Sequence, residues 1–120
     1  MNKSGVRSES TEQIIFIARV RQFHPGIIAF AIPNGGKRDP REAARMKREG
    51  VLAGVPDVFV ALKKEPYGGL FIEMKNQLGG SVSESQKRIQ AALIGSGYKV
   101  VTCNGANEAY RVFLDYVGLR

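Results

Sequence analysis

The chain has no tryptophan, one cysteine and one histidine, and each scarcity closes off a class of chemistry. A lone Cys103 permits neither an internal disulfide nor a cysteine-rich zinc site, agrees with a reducing compartment, and reads as a small core residue. His24 sits in a His-Pro-Gly turn, so it reads as structural and not as a catalytic base. The longest uninterrupted apolar run covers residues 27–32, against the ~20 residues needed to cross a bilayer, so no membrane span is expected. Residues 1–8 lack the apolar stretch of a secretory signal, which points to the cytoplasm of a bacterial or phage-infected cell. Acidic residues are also outnumbered, 11 against 18 Lys and Arg. The resulting net charge of +7 favours a polyanionic partner, because neutralising phosphates releases counterions, although basic proteins also bind acidic membranes or simply stay soluble.

What is present suits one compact domain over residues 1–120, with 43% hydrophobic and 24% charged residues. Ser10-Thr11-Glu12-Gln13 has the form of a capping box, and Ile14, Ile17, Ala18 and Arg21 follow at helical spacing, predicting a first helix to about Phe23. The apolar run 27–32 is expected to be a strand buried on both faces, ended by Pro33-Asn34-Gly35-Gly36. Asp39 as N-cap, Pro40 at the first helical position and Gly50 as the stop predict a short second helix. Residues 58–62 and 70–75 read as two strands of an antiparallel hairpin joined through Pro66-Tyr67-Gly68-Gly69.

Ser83-Glu84-Ser85-Gln86 again has the capping-box form and opens a helix that Gly95-Ser96-Gly97 closes. Residues 98–103 form a fourth strand, parallel to 70–75 because a helix separates them. Residues 107–117 make a final amphipathic helix. The order is α-β-α-β-β-α-β-α: an α/β fold with a mixed four-stranded sheet flanked by helices.

The strand period of two places Glu73 and Lys75 on one face of an otherwise apolar strand. Burying two charges is costly without a compensating ion or neighbour, and Asp57, opening the partner strand, can provide one. Two converging carboxylates make a hard oxygen site suited to Mg²⁺ or Mn²⁺, which clamps a phosphate oxygen and lowers the pKa of water. Lys75 would face the same phosphate and stabilise its growing negative charge. The plain alternative is a structural Glu73–Lys75 salt bridge.

Glu12 in the first helix, Pro33-Asn34-Gly35, Gly54-Val55-Pro56-Asp57, Glu73-Met74-Lys75 and Ser83-x-x-Gln86 together resemble the VRR-NUC family, virus-type replication-repair nucleases of the PD-(D/E)xK, restriction-endonuclease-like superfamily. The resemblance covers nearly the whole chain. It implies that Asp57, Glu73, the main-chain carbonyl of Met74 and Glu12, directly or through water, hold the metal, and that Lys75 acts on the nucleophile. It further implies that Gln86 orients the phosphate or the water and that Asn34 and Gly35 shape the rim where DNA enters. Glu12 can equally serve the helix dipole, and Gln86 can be a capping-box partner alone.

Arg41, Arg45 and Arg48 fall on one face of the second helix with Lys37, Arg38 and Lys47 nearby, a stripe able to track a DNA backbone or to be an ordinary solvated face. Stand-alone relatives resemble dimeric junction-resolving endonucleases of phages and bacteria acting in DNA repair, whereas larger ones process flaps. The expected activity is therefore Mg²⁺- or Mn²⁺-dependent hydrolysis of branched DNA, four-way (Holliday) junctions first, by a homodimer. The alternatives are flap processing, a non-catalytic basic nucleic-acid-binding module, and a structural or regulatory protein on the same fold.

Overall fold

In the computed structural model, which describes residues 5–34 and 39–119, four strands pair in the order β1-β2-β3-β4. They are β1 (Ala29–Ala31), β2 (Val58–Val60), β3 (Leu70–Lys75) and β4 (Lys99–Asn104), and the helices are α1 (Glu9–Phe23), α2 (Pro40–Arg48), α3 (Glu84–Gly95) and α4 (Ala106–Val117). β1–β2 and β2–β3 are antiparallel, while β3–β4 is parallel, as expected when α3 forms the crossover. The α-β-α-β-β-α-β-α order and the mixed sheet match the sequence reading.

One sheet face carries the core. Val58, Val60, Leu70, Ile72 and Met74 are fully buried beneath Phe16 and Val20 of α1 and Ala109 and Phe113 of α4. Phe16 and Phe113 meet edge to face, with centroids 6.2 Å apart. Each such side chain contributes roughly 1.5–3 kcal/mol on burial, so this layer fixes how α1 and α4 lie across the sheet. Cys103 is buried there, and His24 Nε2 lies 2.8 Å from the Tyr110 hydroxyl, both in the structural roles expected of them.

Four expectations need correction, among them β2, which ends at Val60 and not at residue 62. α1 starts a little earlier, because Ser8 and not Ser10 caps it, accepting from the Thr11 amide. Either serine suits the cap, but starting at Ser8 brings both Glu9 and Glu12 into the positively polarised first turn. β1 is shorter than 27–32 and is not covered on both faces: it lies at the sheet edge, with Ile28 66% and Phe30 42% exposed. The continuous apolar run looked like a central strand, but α2, which contributes no buried residue, does not cover its outer face. β4 runs one residue later than the predicted 98–103.

α2 is capped by Asp39, whose side chain accepts from the amides of Arg41 and Glu42, with Pro40 opening the helix. α3 has the full capping box of Ser83 and Gln86. No helix among the described residues is long and apolar enough to cross a membrane.

Gly54 ties the loop before β2 to the start of α3. Its φ is +94°, and a Cβ there would lie 2.7 Å from the Ser85 carbonyl oxygen, a backbone atom that cannot step aside. Gly54→Ala should therefore cost about 2–3 kcal/mol, from left-handed strain plus the displaced helix start. A denaturant midpoint equal to that of the unchanged protein would show that the loop does not lean on α3.

Candidate active site

β3 outruns β2 by half its length, and the site forms in the space this leaves. The register pairs Val58 with Ile72 and Val60 with Leu70, so its continuation would bring Pro56 opposite Met74. Proline has no N–H to donate. The carbonyls of Gly69 and Lys75 accept from Lys99 and Gly105, on the β4 side, so the intervening even-numbered residues turn their main-chain groups toward β2. Met74 therefore presents its amide and carbonyl where the ladder has ended. Asp57 fills part of that gap: its Oδ2 accepts from the Met74 amide at 2.7 Å and its Oδ1 from Asn34 Nδ2 at 3.3 Å.

Glu73 and Lys75 project together from the opposite face to the core, as the period of two requires. They are 3% and 6% exposed, with Lys75 Nζ 3.8 Å from Glu73 Oε2. Gln86 reaches the same oxygen: its Nε2 donates to Glu73 Oε2 at 3.1 Å while its Oε1 accepts from the Ser83 amide at 2.9 Å. One side-chain amide thus caps α3 and also bonds to Glu73, so a capping role does not keep Gln86 away from the carboxylates.

Glu73 Oε1 is buried with no hydrogen-bond partner. Burial, then the Asp57 charge and the hydrogen bond that a protonated Glu73 would make to Asp57, push the Glu73 carboxyl up to about 8, against a smaller lowering by Lys75. The pair can hold either a proton or a cation between its oxygens. The donor set of Asp57, Glu73 and the Met74 carbonyl is all hard oxygen, and the orphaned Oε1 is a ligand position within it, so these residues fit Mg²⁺ or Mn²⁺. Among the described residues no group of three or more His, Cys, Asp or Glu gathers to hold a metal ion, at this place or elsewhere, so the set here is two carboxylates and a main-chain carbonyl.

A pH dependence follows from the raised carboxyl. Its folded value of about 8 lies above its ordinary value of 4.5, so folding takes up a proton and the stabilisation is fully present below about pH 4.5. Stability of the metal-free protein should fall as pH rises from about 5 to 8 and then level off, and Mn²⁺ should stabilise more at pH 8 than at pH 6 because a proton no longer competes. Thermal melts across that range check both; a flat profile would contradict the raised value.

Glu12 is turned elsewhere. It is fully buried, its Oε1 accepts from the Ala106 amide at 3.0 Å, and Arg7 donates to both carboxylate oxygens at 3.2 and 3.3 Å. Burial works against its charge, but the Ala106 N–H and Arg7 outweigh it and hold the carboxyl below its ordinary range. It caps α4, whose own N-cap, Gly105, has no side chain to offer. The sequence reading overlooked Glu9, one turn earlier, whose charge bears on Glu73.

Of the residues assigned to DNA contact, Asn34 bonds to Asp57 itself, while Gly35, Lys37 and Arg38 lie outside the described residues. Arg41, Arg45 and Arg48 line one surface of α2, with Arg45 lying 3.9 Å from Glu42 and 3.8 Å from Glu49.

The family model of the VRR-NUC domain matches residues 7–107, which takes in every element from α1 to the start of α4. The chain belongs to the VRR-NUC family. A solved VRR-NUC domain protein shares the fold with a TM-score of 0.79 at 24% sequence identity, covering 96% of this chain and 92% of that one. No curated protein matches. The VRR-NUC assignment makes the chain a nuclease domain of restriction-endonuclease-like fold, with DNA as the implied substrate. The VRR-NUC match also spans the Pro56-Asp57 and Glu73-x-Lys75 elements and Gln86, the residues that meet at the open end of β3.

Proposed function

We propose that this domain is a Mg²⁺- or Mn²⁺-dependent endonuclease that hydrolyses phosphodiester bonds in branched DNA, four-way junctions first, as a homodimer. The observation that carries the reading is the unpartnered Glu73 oxygen beside Asp57 at the end of the ladder. Asp57, Glu73 and the Met74 carbonyl would hold the ion, and Glu12, spent on Arg7 and α4, is left out of the set.

When bound, the ion supplies Lewis acidity to a phosphate oxygen and lowers the pKa of water. The protein's own groups do the rest. Lys75, buried and beside Glu73, brings a positive charge to the phosphate as negative charge grows there in attack, an effect strengthened by low local solvation. Gln86 holds the Glu73 carboxylate in orientation through Nε2. Asn34 does the same for Asp57.

Support for a dimer comes from the uncharged β1 edge, where Ile28 and Phe30 are exposed and Ile14 of α1 is 65% exposed. Sheet edges are normally guarded by charge, and an unguarded one invites pairing. A two-fold protein suits paired cuts across a two-fold junction.

The test is cleavage of labelled four-way junctions, flaps, splayed arms and plain duplex, with and without Mn²⁺, by the unchanged protein and by Lys75→Ala. Metal-dependent cutting of junctions in preference to the others, lost in the variant, is expected. Cutting confined to flaps would replace the junction assignment by flap processing. Tight DNA binding with no cutting of any substrate in metal would reduce the chain to a binding module.

A further inference from the structure

The turn that follows Lys75 takes no part in the chemistry described so far, and it is pinned from several sides. The Leu78 amide donates to Asn76 Oδ1 and the Gly79 amide to the Asn76 carbonyl, each at 2.9 Å. Gly79 has φ +81°, and a Cβ there would lie 3.3 Å from the Asn104 side chain, so the turn rests on the end of β4. A Cβ on Gly105 would come within 3.0 Å of Gln77 Cγ, and one on Gly80 within 3.6 Å of Lys75 Cδ. The support is itself fixed: the Gly105 amide donates to the Lys75 carbonyl at 2.9 Å and the Asn104 amide to Glu108 Oε2 at 2.6 Å.

Leu78 stands at the tip of this turn, 75% exposed, the most exposed large apolar side chain among the described residues. A single exposed leucine ordinarily carries no message. Here the flanking Gln77 and Gly79 lean on the corner between β4 and α4, and the leucine between them is turned out to solvent. It is also close to the chemistry. Three residues span at most about 10 Å, so Leu78 lies within about three base steps of a phosphate held at Lys75.

We propose that Leu78 is an apolar wedge that enters the base stack of the DNA substrate where a branch has opened it, which makes this turn a specificity determinant for branched over plain duplex DNA. The inference rests on the nuclease reading and adds the residue that selects the substrate. In continuous duplex a wedge must first separate two stacked pairs, whereas at a junction or flap the terminal pair already presents a free face. The pinned backbone matters because ordering a loose turn on binding would offset what burial of the leucine contributes. A stable protein interface buries about 800 Å² on each partner, far more than one leucine among Asn76, Gln77, Gly79 and Gly80 can offer, so a second copy of this chain is the poorer occupant.

The test uses Glu73→Gln protein, which should bind without cutting, and four-way junctions, flaps and plain duplex carrying 2-aminopurine beside the branch point or at mid-duplex. Binding should raise the fluorescence of the branched substrates, as the wedge unstacks the probe. Leu78→Ser, which alters a side chain already in solvent and so leaves the fold intact, should abolish that rise and lower the ratio of branched to duplex affinity about tenfold, as expected from losing one apolar side chain's burial. Leu78→Met should retain both. An unchanged ratio and an unchanged rise in Leu78→Ser would overturn the proposal, as would equal loss in Leu78→Met, since apolar character would then not be what acts. Loss of a dimer by light scattering in Leu78→Ser would overturn it too, making a second copy the occupant. Cleavage by the otherwise unchanged protein in Mn²⁺ is scored separately: branched cutting with no Leu78 effect sinks this inference alone, and a Leu78-dependent rise without any cutting sinks the nuclease reading alone.

Discussion

Glu73→Gln should reduce metal-dependent cleavage about a thousandfold or more and make the metal-free protein more stable at neutral pH. The two effects have one cause. Glu73 is 3% exposed, its Oε1 has no partner, and the Asp57 charge lies beside it. The unchanged protein takes up a proton on folding to tolerate this arrangement, at a cost in free energy that grows from pH 4.5 to about 8 and stays at its full value above that. A neutral amide of the same shape escapes that cost, so the variant's melting profile should be flat where the unchanged protein's slopes. The gain at pH 7 should be about 1–3 kcal/mol. Removing one anionic ligand withdraws several kcal/mol of charge stabilisation from the transition state, hence the loss of rate. Denaturant titrations at pH 6 and pH 8 alongside the cleavage assay check both halves. A variant that is less stable and still cuts would mean that the Glu73–Lys75 pair is a structural salt bridge.

Glu12→Ala should act on the fold and not on the chemistry directly. It strands the Ala106 amide in a fully buried position, removes the side-chain oxygen that caps the first turn of α4, and breaks the Arg7 ion pair. An unsatisfied buried donor together with a broken ion pair costs about 2–4 kcal/mol, discounted toward the lower figure because Arg7 is 36% exposed. For a domain of this size that is a fall of roughly 10 °C in Tm. Below the new melting temperature the protein should still cut in Mn²⁺ within about tenfold of the unchanged rate. Full stability with complete loss of cutting would restore Glu12 as a direct ligand of the ion.

These two glutamates show where sequence reasoning reaches and where it stops. Glu73 and Lys75 were legible because strand periodicity is rigid: two charges two apart in Leu70–Lys75 must share a face, and an apolar strand cannot hold them idly. Asp57 followed from the hairpin, and the missing donor of Pro56 explains why the motif puts a proline there. Glu12 was not legible in this way. Its partner Ala106 lies 94 positions away, and no local pattern reports that contact.

β1 misled for a related reason, since an uninterrupted apolar run records that a strand avoids charge but not what covers it. Gln86 illustrates a third case, in which capping chemistry and site chemistry ask for the same amide, so the sequence could not separate them.

The Glu12 contact with Ala106 has a consequence for how the molecule breathes. The first and last helices should open as one cooperative unit, because fraying the start of one withdraws the acceptor from the other. The Ala106 amide should then exchange its hydrogen in step with the amides of α1, far slower than a helix start ordinarily would, and trimming the leading residues through Glu12 should loosen the opposite end of the chain.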